Sequence, residues 1–204
     1  MKQTYRSKTA FALGCVWLAF VAFNAWDLTV RYNGKPSLIA AAVLGVITAL
    51  VYVIALRPAT VFTEAGLVAR NPLRSTFVPW TLVEGAGVSH SINVEHDGGQ
   101  MLRLWTPMSS ARERARAQRR GAPKAPRRGR FQTEPVQTKA EQMAAEAFAG
   151  KTHADWVGEQ INERAQAAKG RTEEAATTKV TWSIDAIAVL ALAVVLVVAA
   201  IIFP

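Results

Sequence analysis

Three continuous apolar runs divide the chain, at residues 11–30, 38–56 and 184–203, and the segment between the second and third runs alternates between apolar and polar positions. Each run is about twenty residues long, and a helix of about twenty apolar residues spans the roughly 30 Å hydrocarbon core of a bilayer. The pattern therefore predicts an integral membrane protein with three transmembrane helices, of which the first two form an N-terminal hairpin.

Short alternating runs bounded by turn residues follow the second span. The Asp-Gly turn within residues 96–99 is the strongest short-range hairpin signal, and residues 84–87 are expected to form another turn. Pro79 cannot donate to a strand ladder, so its strand is expected to lie at a sheet edge or to bulge there. The pattern predicts about five antiparallel strands in a curled sheet or partial barrel. These strands are expected at residues 60–63, 67–71, 75–83, 88–95 and 100–106.

A helical pattern precedes the third span. Thr152 and Asp155 form a capping-box sequence, and apolar residues recur at helical spacing over residues 153–168. Gly170 is expected to end this helix. A shorter helix is predicted at residues 139–149. The segment between the membrane spans is therefore predicted to be an α+β module with a bent antiparallel sheet and a C-terminal helix.

Composition and pattern together divide the chain into five parts. The predicted parts are a transmembrane hairpin at residues 1–58, a sheet domain at 59–107, a basic linker at 108–138, a helical segment at 139–170 and a C-terminal transmembrane helix at 183–204.

The formal net charge is +9, and Lys and Arg residues flank the spans unevenly. The short loop between the first two spans has few of them, and the other flanks have more. Because cytoplasmic flanks carry the Lys/Arg excess, the N-terminus and residues 57–183 are expected in the cytoplasm of a multi-pass plasma-membrane protein, with the C-terminus external. The alternative is a cleaved signal peptide over residues 1–25, but the apolar run is long and no clear cleavage site follows it.

The most basic stretch is residues 112–130, which holds nine Lys or Arg residues and one acid, Glu113. Ser109 or Ser110 is expected to cap a short helix that Gly121 ends. A basic residue close to an anionic leaflet contributes roughly 1 kcal/mol, so we interpret the stretch as a contact with lipid headgroups or with an acidic face of a partner. The alternatives are a solvated linker that enforces topology and, less favoured for lack of interleaved aromatic residues, nucleic-acid binding. The candidate contact residues are Arg112, Arg114, Arg116, Arg119, Arg120, Lys124, Arg127, Arg128 and Arg130.

Residue types that carry catalytic or metal chemistry lack the necessary spacing. His90 and His96 flank a hairpin strand and, six residues apart, could share one face, but a structural metal site needs three or four ligands. Cys15 is the single cysteine and lies inside the first span. Asp27 and Asp185 lie near span ends, where a solvated or partner-paired role is favoured over a proton relay. The sequence therefore predicts no catalytic residue, no cofactor and no metal site.

Several motifs after the second span are distinctive: RPAT, EAGLVARNPLRSTFVPWTLVEG, a DGG turn and an LRLWT strand. Over residues 57–107 they resemble the small actinobacterial membrane proteins that carry a bacterial pleckstrin-homology-like domain. The resemblance implies a strongly bent antiparallel sheet closed by a C-terminal helix, which residues 153–168 supply. The chain departs from the family by inserting the basic stretch 109–130. Six residues take the family's positions: Gly66, Arg70, Asn71, Pro72, Pro79 and Trp80.

The resemblance implies the fold of the family but no ligand pocket. The best-known eukaryotic members bind phosphoinositides through a basic cluster at the first turn, and here the turn at residues 64–66 is acidic and lacks Lys or Arg. We therefore expect a non-catalytic accessory or scaffolding subunit that docks onto a larger membrane complex, such as a respiratory or envelope-synthesis assembly. The alternatives are an anionic-lipid-sensing module acting through residues 112–130, and a transporter or enzyme subunit with chemistry in its spans.

Cysteine substitutions at positions 34 and 98, in a Cys15→Ser background, test the expected orientation. Because the Lys/Arg excess places residues 57–183 inside, an impermeant thiol reagent should label position 34 in intact cells and position 98 only after the membrane is opened. Labelling of position 98 from outside would overturn the cytoplasmic assignment.

Overall fold

The computed structural model describes residues 2–121, 150–170 and 177–203. The described helices are α1 (Lys8–Val30), α2 (Lys35–Val51, continued by a π-helical turn at Tyr52–Leu56), α3 (Ala111–Gly121), α4 (His153–Ala168) and α5 (Ile184–Ile202). The described strands are β1 (Gln3–Tyr5), β2 (Ala59–Phe62), β3 (Gly66–Arg70), β4 (Arg74–Pro79), β5 (Val83–Val88), β6 (Ser91–His96), β7 (Gln100–Met108) and β8 (Lys179–Trp182).

Among the described residues, three helices are long and apolar enough to cross a membrane: α1, α2 with its π-helical turn, and α5. All three predicted apolar runs are thus confirmed as helices. Ser7 caps α1, because its Oγ accepts a hydrogen bond from the Ala10 amide at 3.3 Å. Gly34, at a φ of 66°, turns the chain into α2, and Pro36 lies in the first turn of that helix.

Small residues bring α2 and α5 close together. The contact buries Ala42 and Ala49 on α2 and Ala193 on α5, and a Cβ added to Gly45 would lie only 2.6 Å from a methyl group of Leu196. Small residues let helix backbones approach in the same way at interfaces between membrane helices. The larger apolar side chains of these helices are mostly exposed, as expected of surfaces that face lipid.

The strands form two antiparallel sheets, one in the order β1-β2-β3-β4-β8 and one in the order β5-β6-β7. The first strand and the last were not predicted. Each is only three or four residues long and mostly exposed, so it shows no apolar alternation. β1 pairs with β2 and β8 pairs with β4. The domain therefore lies beside the start of α1, the end of α2 and the start of α5, on one side of the hairpin.

The prediction of a turn at residues 84–87 was wrong, because these residues lie within β5. The predicted strand 88–95 is accordingly interrupted, with the turn at residues 89–90. Helix α4 packs directly against β5: a Cβ added to Gly158 would lie 2.6 Å from Val88 Cγ2. Asn162 accepts a hydrogen bond from the Ala86 amide at 2.7 Å and donates one to the Ala86 carbonyl at 3.1 Å. The side chain of Asn162 thus covers the open edge of β5.

The predicted strand 75–83 ends early. β4 stops at Pro79, and Trp80–Leu82 forms a 3₁₀ turn. The expectation that this strand lies at a sheet edge was wrong, because β4 runs between β3 and β8. The ladder between β4 and β8 extends only from Arg74 to Phe77. Pro79 is therefore not paired with β8, and its missing N–H group removes no hydrogen bond from that ladder.

The predicted helix 153–168 is confirmed, together with its cap. Thr152 Oγ1 accepts from the Asp155 amide at 3.2 Å, and Asp155 Oδ2 accepts from the Thr152 amide at 2.7 Å. The buried face of α4, which includes Val157 and Ile161, closes a core built from both sheets. The predicted helix 139–149 lies outside the described residues.

Trp80 lies in the middle of this core with 5% of its surface exposed. Its Nε1 donates to the Thr63 carbonyl at 2.9 Å. Its ring meets Phe62 edge to face, with centroids 5.3 Å apart. The indole therefore combines apolar burial with a satisfied polar group.

Replacement of Trp80 tests the importance of this packing. Trp80→Ala should lower the free energy of unfolding of the domain by about 3–5 kcal/mol, because it empties a large buried site. Chemical unfolding of the full chain in detergent micelles measures the change. Trp26→Ala is the matched control, since Trp26 is 71% exposed on α1. Equal unfolding midpoints for the two variants would contradict a core role for Trp80.

Candidate functional site

The predicted basic stretch begins as an ordered helix. Ser110 Oγ accepts from the Glu113 amide at 3.1 Å, so the expected cap of α3 is confirmed at Ser110. The side chain of Ala117 is buried, and Arg114 Nη2 lies 3.5 Å from His90 Nδ1, so α3 contacts the domain. Four predicted contact residues are exposed on this helix: Arg112, Arg114, Arg116 and Arg119.

The rest of the predicted set is less fully described. Arg120 belongs to α3 by its backbone. Lys124, Arg127, Arg128 and Arg130 lie outside the described residues. The structure therefore brings together about half of the predicted basic surface, on one helix.

Helix α3 meets the N-terminal end of α4. Glu113 Oε1 accepts a hydrogen bond from the His153 amide at 3.4 Å. The His153 and Trp156 rings stack with centroids 6.0 Å apart, and Tyr5 contacts both rings. Burial raises the pKa of the Tyr5 hydroxyl, which stays neutral and donates to Gln3. Since Tyr5 lies three residues before α1, α3 is attached to the end of the domain that lies nearer to the spans.

A second polar cluster lies where the domain meets the membrane helices. Its centre is Arg57, which directly follows the π-helical turn of α2 and is only 8% exposed. Arg57 Nε donates to Asp185 Oδ2 at 2.9 Å, and the same oxygen accepts from the Tyr52 hydroxyl at 2.9 Å. Arg57 Nη2 donates to Ser75 Oγ at 3.0 Å, and Nη1 donates to the Asn71 carbonyl. One guanidinium thus joins α2, α5 and the domain.

Asn71 continues this network into the second sheet. Its Nδ2 donates to the Arg103 carbonyl at 2.9 Å, and its Oδ1 accepts from the Trp105 amide at 3.1 Å. Trp105 Nε1 in turn donates to the Ile54 carbonyl at 3.3 Å. The two sheets are therefore both attached to the end of α2.

Sequence reasoning identified Asp185 as a candidate for partner pairing but did not identify Arg57 as its partner. A usable signal was present, because an arginine directly follows one span and an acid lies in the first turn of another. Because α2 ends and α5 begins on the same side of the membrane, these two charges lie at the same depth. An acid in the first turn also lies at the positive end of its own helix dipole.

His90 and His96 do not share one strand face. His90 lies in the exposed turn before β6, whereas His96 is the buried last residue of that strand. Within the described ranges, no group of three His, Cys, Asp or Glu side chains is placed to hold a metal ion. Both polar clusters hold parts of the protein together: the first joins α3 to α4, and the second joins the domain to the membrane helices.

No protein-family model, no curated protein and no solved structure matches the chain. The resemblance of residues 57–107 to pleckstrin-homology-like membrane proteins consequently stays a prediction.

The Arg57–Asp185 pair should be asymmetric in its response to substitution. Asp185→Asn leaves a buried guanidinium without a counter-charge and should cost about 1.5–3 kcal/mol of domain stability. Arg57→Gln leaves a carboxylate that is 49% exposed and hydrated, so that its charge costs less. A double-mutant cycle, measured by chemical unfolding of the full chain, gives the coupling energy.

The exposed pair Asp27–Arg31 supplies the control for this cycle. Its atoms are 3.2 Å apart, and its side chains are 50% and 80% exposed. Exposed helix pairs of this spacing contribute about 0.3–0.5 kcal/mol. A coupling energy for Arg57–Asp185 no larger than the control value would mean that the pair does not hold the domain to the spans.

Proposed function

We propose that the protein is a non-catalytic accessory or scaffolding subunit of the plasma membrane. Its domain faces the cytoplasm and docks onto a larger membrane protein complex, such as a respiratory or envelope-synthesis assembly. The observation that carries the proposal is the set of exposed arginines on α3, a helix that contacts the domain at His153. A fixed basic helix offers an acidic partner surface a defined geometry.

The neighbouring surface supports docking. Met101, Trp105 and Met108 on β7 are 64%, 37% and 44% exposed. Arg103 is also exposed on this strand. Methionine, aromatic residues and arginine are enriched at protein interfaces relative to the rest of a surface. An apolar strip bordered by arginines fits a partner that is itself membrane-bound, because the contact surfaces of both proteins then lie at the same distance from the membrane.

The attachment of the domain supports the same proposal. Three connections to the spans, through β1, Arg57 and β8, restrict how far the domain can rotate. A domain fixed in this way presents α3 in one orientation, which lowers the entropy cost of docking. We also propose that the two sheets closed by α4 form a pleckstrin-homology-like module, as the motifs in residues 57–107 imply.

The alternative proposal is an anionic-lipid sensor that acts through residues 112–130. It is supported by the contact of α3 with the end of α4 near Tyr5, which precedes the first span by three residues. Basic residues at this height would be attracted to an anionic leaflet, within about a Debye length of 8 Å at physiological salt.

Two variants of the full chain separate these proposals. One replaces the nine basic residues of 112–130 with Gln, and the other scrambles the segment at constant composition while keeping Glu113 and Ala117 in place. Recovery of partners in mild detergent, at low and high salt, is the measurement. The Gln variant should lose partners, because a charged contact is removed.

The scrambled variant assigns the kind of contact. If it also loses its partners, defined side-chain pairing such as bidentate Arg to carboxylate is required, and a protein partner is favoured over lipid. If it binds as wild type, the contact depends on charge alone. Wild-type recovery by the Gln variant would refute docking through this stretch.

A further inference from the structure

A cleft of about 530 Å³ lies at the junction of the membrane helices and the domain. Its walls come from the start of α1, the end of α2, the first turn of α5 and the adjoining strands β3 and β4. It is separate from α3 and is unused by the proposed docking function. One part of its lining is strongly basic, and the other part is apolar.

The basic part contains three guanidinium groups and one carboxylate: Arg6, Arg57, Arg70 and Asp185. Asp185 pairs with Arg57. Within the described part of the chain, Arg6 and Arg70 have no hydrogen bond or ion pair from their side chains. The Nε atom of Arg6 is buried and lacks a hydrogen-bond partner among these residues. The cleft therefore has two positive charges in excess, and the guanidinium groups of Arg6 and Arg70 keep unused donors among the described residues.

Guanidinium donors without protein acceptors suit an anionic ligand. A buried polar group without a partner costs free energy, more so when it is charged, and native proteins leave few such groups unpaired. The planar fork of an arginine matches the oxygen atoms of a phosphate or carboxylate. Two arginines around one cleft suit a phosphate, which offers several acceptor oxygens.

The apolar part of the lining extends along α1. Phe11, Cys15 and Leu18 follow one another at spacings of four and three residues, so they share one face of the helix. They cover about 10 Å of helix length at 1.5 Å per residue. Leu56, at the end of α2, lies opposite. Since α1 is a candidate membrane span, this wall leads from the arginines into the depth of the hydrocarbon.

We propose that this cleft binds the phosphate of an anionic membrane lipid, with the headgroup between Arg6 and Arg70 and an acyl chain along Phe11 and Leu18. The arginines supply the recognition of the phosphate ester. The apolar wall selects a lipid over a free phosphate, because a soluble ion gains nothing from Phe11 and Leu18. Arg57 remains paired with Asp185 and holds the walls of the cleft together.

Lipid binding to the full chain tests the proposal. The delipidated protein in detergent is mixed with phosphatidylglycerol, with phosphatidylcholine or with inorganic phosphate, and native mass spectrometry gives the affinity of each. Phosphatidylglycerol should bind at least about tenfold more tightly than phosphatidylcholine, because both lipids carry a phosphate but the choline ammonium of phosphatidylcholine is repelled by the excess positive charge of the cleft. Inorganic phosphate should compete only weakly.

Substitutions then locate the binding site. Arg6→Gln and Arg70→Gln should each weaken phosphatidylglycerol binding by about tenfold. Arg31→Gln is the control, because Arg31 lies at the opposite end of α1 and is 80% exposed. Wild-type affinity in both cleft variants, equal binding of phosphatidylcholine, or equal affinity for inorganic phosphate would overturn the proposal.

Cys15 provides a measurement that needs no cleft variant. It is the single cysteine of the chain and lines the cleft. Phosphatidylglycerol should slow its reaction with a membrane-permeant maleimide more than phosphatidylcholine does, since a bound acyl chain covers the thiol. Equal rates of modification in the two lipids would contradict occupation of the cleft, even if the arginine variants fold poorly.

Discussion

The buried guanidinium of Arg57 is the constraint on which the relation between membrane helices and domain depends. A charge that is 8% exposed must be paired and hydrogen-bonded to be tolerated. Its acceptors come from three places: Asp185 on α5, Ser75 on β4 and the Asn71 carbonyl between β3 and β4. Any movement of α5 or of the first sheet away from α2 would leave this charge without compensation. The ion pair therefore couples parts of the chain that are 128 residues apart in sequence.

The neighbouring backbone reinforces this coupling. Ser183, directly before α5, donates its amide to the Leu73 carbonyl at 3.0 Å. Trp182 stacks under the guanidinium of Arg74, with 4.4 Å between the guanidinium carbon and the ring centroid. β8 thus ends against β4 immediately before Asp185 reaches Arg57. The third span is positioned by short-range contacts at its first turn as well as by its packing against α2.

Sequence reasoning was most successful where the physical signal is local. The three apolar runs, the capping box at Thr152 and the turn at residues 96–99 depend only on neighbouring residues, and each appears in the structure. It failed where tertiary contacts decide. Residues 84–87 contain two glycines and were interpreted as a turn, but Asn162 and the close approach of α4 hold them in a strand.

The candidate sites show the same division. The cap of α3 at Ser110 was readable, because the motif is local. The cleft was not, because Arg6, Arg70 and Asp185 come from distant parts of the sequence and lie together only in the folded structure. No periodic pattern in the sequence indicates that these residues lie close together. A span-flanking arginine looks the same in sequence whether it marks topology or lines a binding site.

The two basic surfaces differ in how strongly solvent weakens them. The arginines of α3 are exposed, so their attractions are screened over about 8 Å at physiological salt and act mainly on encounter with a partner or leaflet. Arg57 and the Nε atom of Arg6 are buried, and charges in such surroundings are screened much less. A ligand that binds only the folded arrangement also stabilises it. An anion in the cleft would therefore strengthen the junction held by Arg57, and the orientation in which α3 is presented would depend on the lipid around the spans.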